Sequence, residues 1–206
     1  MIIASGPYLS PHFVETVSRN RWPVVDAGGA AASGMDGNVN FVDSTRARSE
    51  ILSRPDARLL TSGEHALSWI TSELPGTDTA RAAGLFKDKV AFRKALRPAF
   101  PDFEYREIPL EDLQNHTPPQ ELYPFVIKPA EGFFSIGVHT VHTPQEWRAA
   151  RQRLSREIAE AGRYFPEHML SQSRLIAESF VEGDEFAVDA YYDDRGQPVV
   201  LNVLHH

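Results

Sequence analysis

The sequence predicts an α/β protein in two parts, a small parallel α/β domain over residues 1–80 and a larger α+β domain over residues 81–206. In the first part, short apolar runs alternate with amphipathic segments, which is typical of a parallel sheet with crossover helices. The segment Pro75-Gly76-Thr77-Asp78 combines turn residues and marks the boundary. In the second part, several apolar runs are separated by short turns, as in β-hairpins.

The composition excludes several classes of protein. The chain has 206 residues and a net charge of −7 without any block of Lys or Arg, which argues against a nucleic-acid partner. It has no cysteine, so disulfides, thiolate metal sites and cysteine nucleophiles are excluded. The start does not resemble a signal peptide, and no apolar run approaches the roughly 20 residues that span a bilayer. We therefore expect a soluble, cytoplasmic protein without a membrane partner.

The elements of the first part follow from its apolar periodicity. Gly6 and the pair Gly28-Gly29 lack the spacing of a dinucleotide-binding fingerprint, so we interpret them as turn glycines. The residues from Gly28 to Asn38 are rich in Gly, Ala and Ser and predict a loop. We expect strands at Ile2–Ala4, Pro23–Ala27, Asn40–Val42 and Arg58–Gly63, helices at Ser10–Asn20 and Glu64–Leu74, and a helical turn at Ser49–Leu52.

Two helices of the second part carry clear start signals. Asp88 can cap a helix from Lys89 to about Arg97. The run Thr143-Pro144-Gln145-Glu146 is a capping box with proline at the first helical position, and the helix that follows extends to Ala161. A strand is expected over Phe103–Ile108.

The central stretch from Tyr123 to Val141 contains a lysine on an apolar strand. The run Pro124-Phe125-Val126-Ile127 predicts a buried strand that ends at Lys128, and a glycine-containing loop leads to a second strand over Ile136–Val141. Loops of this kind can turn backbone N–H groups toward phosphate oxygens. The alternative is an ordinary hairpin whose lysine extends to solvent.

A second informative region lies at residues 174–204. We expect a strand over Arg174–Val181, an acidic turn, a strand over Phe186–Tyr192 and a third strand over Pro198–Leu204. The alternation places Glu185 and Asp189 on one face, where they could serve a hydroxyl, a metal or an amine. The alternative is a solvated sheet face.

Three of these pieces together resemble the ATP-grasp superfamily, which includes biotin carboxylase, D-alanine–D-alanine ligase and many carboxylate–amine ligases. They are Asp88-Lys89 at the start of a helix, YPFVIKPAEGFFSIGV at 123–138 and ESFVEGDEFAVDAYY at 178–192. The resemblance covers roughly residues 80–206. It implies that residues 1–80 are the small α/β domain that precedes the grasp, and that an incomplete ATP-grasp fold follows.

The resemblance implies that ATP is bound by two lysines and a loop. Lys89 and Lys128 correspond to the lysines that hold the ATP phosphates. The loop from Glu131 to Gly137, including Ser135, corresponds to the flexible loop that closes over them. Its sequence GFFSIG is less glycine-rich than usual, so we expect a stiffer and more apolar lid.

The resemblance also assigns the nucleoside. Glu178 would accept a hydrogen bond from the adenine amino group, and Phe180 would pack near the base. Backbone groups of Phe180 and Val181 would contact the adenine edge. Glu185 would bind the ribose hydroxyls, while Asp189 has no assigned counterpart.

The family pattern continues beyond the last strand into a subdomain with acidic residues and an asparagine for Mg²⁺ and an arginine for the acyl-phosphate. We therefore expect that the chain is a fragment, with its metal ligands beyond His206. The implied function is an ATP-dependent ligase that joins a small-molecule carboxylate to an amine, or to a thiol, through an acyl-phosphate. The alternatives are an ATP-binding or regulatory module without catalysis and a kinase that phosphorylates a hydroxyl.

Overall fold

The computed structural model describes residues 1–35, 37–54, 56–165, 167 and 169–206. These residues form six α-helices and ten strands, and the strands belong to three sheets. Within these ranges, no helix is both long enough and apolar enough to cross a membrane.

The first part is built on a four-stranded parallel sheet with the strand order β3-β2-β1-β4, which confirms the predicted parallel α/β arrangement. Adjacent residues of its strands face opposite sides, so Ile3 and Val25 belong to one hydrophobic cluster and Ile2 and Val24 to another. Its elements are β1 (Ile2–Ala4), α1 (Pro11–Asn20), β2 (Pro23–Asp26), β3 (Asn40–Phe41), α2 (Ser44–Leu52), β4 (Leu60–Thr61) and α3 (Glu64–Glu73).

Two helices differ from the sequence prediction. Helix α2 begins at Ser44 rather than at Ser49, because the Asp43 side chain accepts the Arg46 N–H and caps it. Helix α4 (Asp78–Lys87) was not predicted at all. The Thr77 hydroxyl caps α4, and Ala80 packs into the first core, so the helix runs across residue 80. The domain division at that residue stays a prediction.

The second part is built on a four-stranded antiparallel sheet with the order β5-β8-β6-β7. Helix α6 covers one face with Trp147, Leu154 and Ile158, which pack on Phe125 and Ile127 of β6. The other face of this sheet is turned toward α5. The elements are α5 (Lys89–Leu96), β5 (Tyr105–Pro109), β6 (Phe125–Pro129), β7 (His139–Val141), α6 (Pro144–Ala161) and β8 (Arg174–Ser179).

Strand β7 is shorter than predicted. It begins at His139 instead of Ile136, because the backbone from Phe133 to Val138 is folded into two turns. In these turns the Ile136 N–H donates to the Phe133 carbonyl, and the Val138 N–H donates to the Ser135 carbonyl. The loop that the sequence suggested for phosphate therefore extends to the start of β7.

The last 21 residues form a separate antiparallel hairpin of β9 (Phe186–Tyr192) and β10 (Pro198–His205), as the sequence predicted. In the described part of the chain, these two strands pair only with each other. Nearly all of their side chains are exposed, including apolar ones such as Phe186 and Leu201.

Gly137 and Gly84 make a matched pair for testing how the loop is fixed. Gly137 has a φ of 69°, and a Cβ there would lie 3.0 Å from Leu154 Cδ1 and 3.2 Å from Pro129 Cδ. We expect Gly137→Ala to lower the free energy of unfolding by about 2–3 kcal/mol, because it adds left-handed strain to overpacking.

The control, Gly84→Ala, lies within α4, where a Cβ would meet nothing within 4 Å. It should raise the free energy of unfolding by about 0.5–1 kcal/mol through helix propensity. Urea unfolding followed by circular dichroism measures both variants. Equal stabilities of Gly137→Ala and the unchanged chain would contradict the close approach.

Candidate functional site

Two lysines from separate elements line one cavity on the second part of the chain. Lys89 comes from the first turn of α5 and Lys128 from β6. The cavity has a volume of about 290 Å³ and lies between these residues and the loop that follows β6. Its other lining residues are Pro129, Gly132, Phe133, Ser135, Ile136 and Val138.

The start of α5 is fixed against the loop that follows β6. The Lys89 N–H donates to the Ala130 carbonyl at 2.9 Å, and its Nζ lies 3.5 Å from that carbonyl oxygen and 3.4 Å from the Gly132 carbonyl oxygen. The Asp88 carboxylate caps the helix and accepts a hydrogen bond from Arg174. Burial alone would raise the pKa of Asp88, but the hydrogen bonds outweigh it and hold the pKa below its ordinary value.

Lys128 forms an ion pair with Glu178, which is almost fully buried on the neighbouring strand β8. The pairing register explains this contact: Val126 lies opposite Glu178, so Lys128 is its diagonal neighbour on the same face. The second oxygen of Glu178 accepts a hydrogen bond of 2.7 Å from Arg93 Nε. The Arg93 guanidinium also lies 4.2 Å from the centre of the Phe103 ring.

The charged residues that line the cavity, Lys89 and Lys128, are both positive. Burial lowers the pKa of Lys89, the positive charge of Lys128 lowers it further, and Glu131, Glu178 and Glu64 oppose the shift. Burial would raise the pKa of Glu178, but hydrogen bonds from Arg93 and Lys128 outweigh it and lower the pKa. An anion between the two lysines would reduce their repulsion.

The loop over this cavity has one phenylalanine that packs against the protein, followed by one that is exposed. Phe133 packs edge-on against Phe165 with ring centres 4.9 Å apart, whereas Phe134 is 85% exposed. Phe134, Ser135 and Gly137 have left-handed φ values of 51°, 56° and 69°. Among the described residues, their N–H groups have no hydrogen-bond partner.

The remaining predicted site residues lie at and beyond the end of β8. The Phe180 N–H donates to the Pro124 carbonyl at 3.1 Å, and no described residue accepts from the Val181 N–H. The side chains of both residues are exposed. Glu185 lies at the start of the hairpin and does not line the cavity. The roles of Glu178, Phe180, Val181 and Glu185 toward a nucleoside stay predictions, as does the role of Glu131, which is half-buried next to the cavity.

Arg93, which donates a hydrogen bond to Glu178, was not predicted from the sequence. Lys89 and Arg93 are four residues apart in α5, a spacing that places two side chains on one helix face. That signal was available once Lys89 was a candidate. The pairing of Arg93 with Glu178 was not identifiable from the sequence, because the two residues are 85 positions apart along the chain.

The chain is similar to known proteins in part of its sequence and in its fold. Residues 121–206 match the family model described as the ATP-grasp domain, and no curated protein sequence matches. Among solved structures, an L-amino acid ligase from Bacillus licheniformis has 18% identity and a TM-score of 0.63, covering 99% of this chain and 52% of that one. An N5-carboxyaminoimidazole ribonucleotide synthetase from Thermotoga maritima has 15% identity and a TM-score of 0.58, with 99% and 52% covered.

A D-alanyl-alanine synthetase A from Vibrio cholerae has 14% identity and a TM-score of 0.54, and the match covers 100% of this chain and 67% of that one. At these identities the likeness establishes the fold. The chain spans about half the length of the first two structures. The predicted fold class and the resemblance to the ATP-grasp superfamily are confirmed.

Glu178→Gln tests the ion-pair cluster. Near pH 7 we expect the free energy of unfolding to fall by about 2–4 kcal/mol, because Arg93 and Lys128 would face an uncharged amide. The pKa of Glu178 in the folded chain lies below its ordinary value of 4.5, so its contribution is complete above that pH and is lost as the pH falls through the folded value. The difference should therefore shrink in strong acid.

The control is Glu15→Gln, which removes an exposed pair with Arg19 and should change the free energy of unfolding by less than about 0.5 kcal/mol. Urea unfolding at several pH values measures both variants. A Glu178→Gln effect as small as that of Glu15→Gln would contradict a stabilising cluster.

Proposed function

The chain has the ATP-grasp fold, and from this premise we propose that it holds the ATP of a ligase that joins a carboxylate to an amine or a thiol. The observation that supports the proposal is the cavity shared by Lys89 and Lys128. Glu178 forms an ion pair with only one of the two ammonium groups, Lys128, so an anion between the lysines would reduce the repulsion that remains. A triphosphate is such an anion, and lysines bind phosphates as point charges.

In this proposal, Lys89 and Lys128 position the phosphates and offset the negative charge that develops there. Glu178 acts through Lys128, because the ion pair fixes the position of the lysine ammonium group. Arg93 in turn fixes Glu178, since the guanidinium is itself held over the Phe103 ring. Positioning and charge compensation of this kind supply most of the catalysis in phosphoryl transfer.

The reaction that fits this arrangement is the formation of an acyl-phosphate. An oxygen of the carboxylate substrate would bond to the γ-phosphorus while the bond to the bridging oxygen breaks and ADP leaves. The amine or thiol would then displace phosphate. Both substrates are small molecules in this proposal.

The loop from Glu131 to Gly137 would lie over the phosphates. The N–H groups of Phe134, Ser135 and Gly137 support this role, because no described residue accepts from them and backbone donors of a loop can bind phosphate oxygens. Phe133 would anchor the loop on the protein side, while Phe134 would remain free to move.

The end of β8 would bind the nucleoside. The Val181 N–H is the backbone donor that supports contact with the adenine edge, since the Phe180 N–H already donates to Pro124. Each oxygen of Glu178 already has a cationic partner, so an adenine amino group would share that carboxylate with Arg93 and Lys128. Glu185 does not line the cavity, so it would contact the ribose from its position at the start of the hairpin.

No magnesium ligands are assigned among the residues that the structure describes. Among the described residues, no group of three or more His, Asp or Glu side chains could hold a metal ion. Mg²⁺ binding remains a prediction. A cytoplasmic location also remains a prediction.

Replacing the lysines tests the ATP site. We expect Lys89→Met to weaken ATP binding at least about tenfold, and Lys128→Ala to abolish the thermal stabilisation by ATP, because each loses a cation at the polyphosphate. A ligand at 100 times its Kd stabilises by about 2.7 kcal/mol, which a thermal-shift assay detects readily. AMP binding should change less than ATP binding in both variants.

The control is Lys94→Met, which removes an exposed lysine from the same helix and should leave ATP affinity within about twofold. An unchanged affinity in both Lys89→Met and Lys128→Ala would end the proposal. In a longer protein that includes this chain, ADP release with a carboxylate and an amine would support the ligase. A stable phosphorylated product would indicate a kinase instead, and ATP binding without turnover a module without catalysis.

The pH dependence of binding gives a second test. Because the pKa of Lys89 is lowered, its charge is lost at a lower pH than that of an ordinary lysine. ATP affinity should therefore fall as the pH rises toward 10.5, the ordinary pKa of a lysine, and the fall should be shallower in Lys89→Met. Isothermal titration calorimetry measures both slopes, and identical slopes would exclude Lys89 from the phosphate site.

A further inference from the structure

The loop from Glu131 to Gly137, called the site loop below, lies against the connection between α6 and β8. The start of the site loop is joined to this connection by a backbone hydrogen bond of 2.9 Å from the Ser171 N–H to the Glu131 carbonyl. The two segments therefore approach each other at the level of the main chain. The described residues of the connection are 162–165, 167 and 169–173.

Two apolar contacts extend this approach along the site loop. A Cβ added at Gly132 would lie 3.0 Å from Cδ1 of Leu170, which is fully buried. The next residue, Phe133, packs edge-on against Phe165, with ring centres 4.9 Å apart. Edge-on aromatic pairs of this kind stabilise beyond the area that they bury. Glu131, Gly132 and Phe133 thus each contact the connection.

The connection is itself held in one conformation by a single carboxylate. Glu167 accepts hydrogen bonds of 2.8 Å from the Gln172 N–H and 2.6 Å from the Ser173 hydroxyl. The Gln172 side chain also donates to the Phe165 carbonyl at 3.0 Å, which ties Phe165 to the end of the connection. The Phe165 ring is therefore carried by a hydrogen-bonded turn and can act as a fixed support.

The other end of the site loop is held by α6 and β6. Gly137 approaches Leu154 and Pro129 so closely that a Cβ there would lie 3.0 Å and 3.2 Å from their side chains. Protein groups alone make the supports at both ends, so the short tip between them is the part of the loop with freedom to move. The tip consists of the three residues between Phe133 and Gly137, which are Phe134, Ser135 and Ile136.

The tip and Gly137 carry the N–H groups that the proposed function gives to phosphate. No described residue accepts from the N–H groups of Phe134, Ser135 and Gly137. Donors that are already in place cost less ordering on binding than donors on a flexible loop. Supports at both ends of the site loop therefore favour phosphate binding by reducing that cost.

We propose that Phe165 is a positioning residue for the nucleotide phosphates and that it acts through Phe133. The connection between α6 and β8 holds the site loop in its phosphate-binding position, so that nucleotide binding orders only the three-residue tip. This inference rests on the proposed function, because it takes the site loop to be the phosphate loop. Phe165 does not line the cavity of Lys89 and Lys128, so its effect on a nucleotide is exerted through the loop.

Hydrogen exchange tests the support without any ligand. The Ile136 and Val138 N–H groups donate within the turns of the site loop, and NMR follows their exchange in the 206-residue chain. We expect Phe165→Ala to speed the exchange of both amides at least about tenfold, because the loop opens more often once its support is lost. The control Tyr164→Ala removes a neighbouring ring that is 81% exposed and should change neither rate. Equal exchange rates in the two variants would overturn the inference.

Nucleotide titrations by calorimetry test the positioning. Phe165→Ala should weaken ATP binding at least about tenfold and leave AMP binding nearly unchanged, because AMP lacks the β- and γ-phosphates. Phe165→Tyr keeps the ring and should restore most of the ATP affinity. The double variant Phe133→Ala/Phe165→Ala should bind ATP as Phe165→Ala does, because both substitutions remove the same contact. Equal losses for ATP and AMP would indicate a general structural defect and overturn the inference, as would additive losses in the double variant.

The lysine variants separate this inference from the proposed function. If Lys89→Met and Lys128→Ala weaken ATP binding but Phe165→Ala does not, only the positioning role of Phe165 is overturned. If Phe165→Ala speeds amide exchange but the lysine substitutions leave ATP binding unchanged, the proposed function fails, and Phe165 supports the loop without a role in ATP binding.

Discussion

The buried carboxylate of Glu178 is the contact on which the candidate site depends. It lies on the face of the antiparallel sheet opposite α6, between Arg93 of α5 and Lys128 of β6. A charge in such a position is tolerated only when cations compensate it, so the burial of Glu178 requires its pairing with Arg93 and Lys128. The contact also ties α5 to the sheet, because Glu178 of β8 pairs with one residue of α5 and one of β6. The position of Lys128 therefore depends on the packing of a helix that begins 39 residues earlier in the chain.

The two faces of the second sheet differ in character: one packs in the hydrophobic core and the other carries charged residues. The α6 face is apolar and closed, with Phe125 and Ile127 packed against Trp147 and Leu154. The opposite face carries the charged residues and the cavity. Period-two alternation along β6 produces both at once, since Ile127 and Lys128 are neighbours in sequence that point to opposite sides. Stability and binding thus use alternate residues of the same strand.

Helix α4 and the start of α5 join the two parts of the chain. Helix α4 packs by Ala80 on the first core and leads through Asp88 directly into α5, so Lys87 and Lys89 face two adjoining cavities from one short segment. The two cavities, that of Lys89 and Lys128 and one of about 470 Å³ between β4, α3 and α4, share Lys89 and Gly132 as lining residues. Asp88 is central to this geometry because it caps α5 and also binds Arg174 at the start of β8.

The sequence by itself determined the parallel first sheet, the strand that carries Lys128, the helix capped by Asp88 and the final hairpin. These features depend on local signals: apolar periodicity, capping residues and turn residues within a few positions of one another. It also named Lys89 and Lys128 together through family resemblance. Helix α4 was missed, because its alanine-rich sequence has a weak apolar stripe after a strong turn signal.

Only the tertiary structure decided which side chains meet. Arg93 and Glu178 are 85 residues apart, and Lys87 meets Glu64 across two helices. No local pattern encodes such pairs, since they arise from strand register and helix packing over long separations. The structure also shortened β7, because close packing of Gly137 against Leu154 and Pro129 favours turns over a continued strand. Local chemistry thus specified the elements, and long-range packing specified the site.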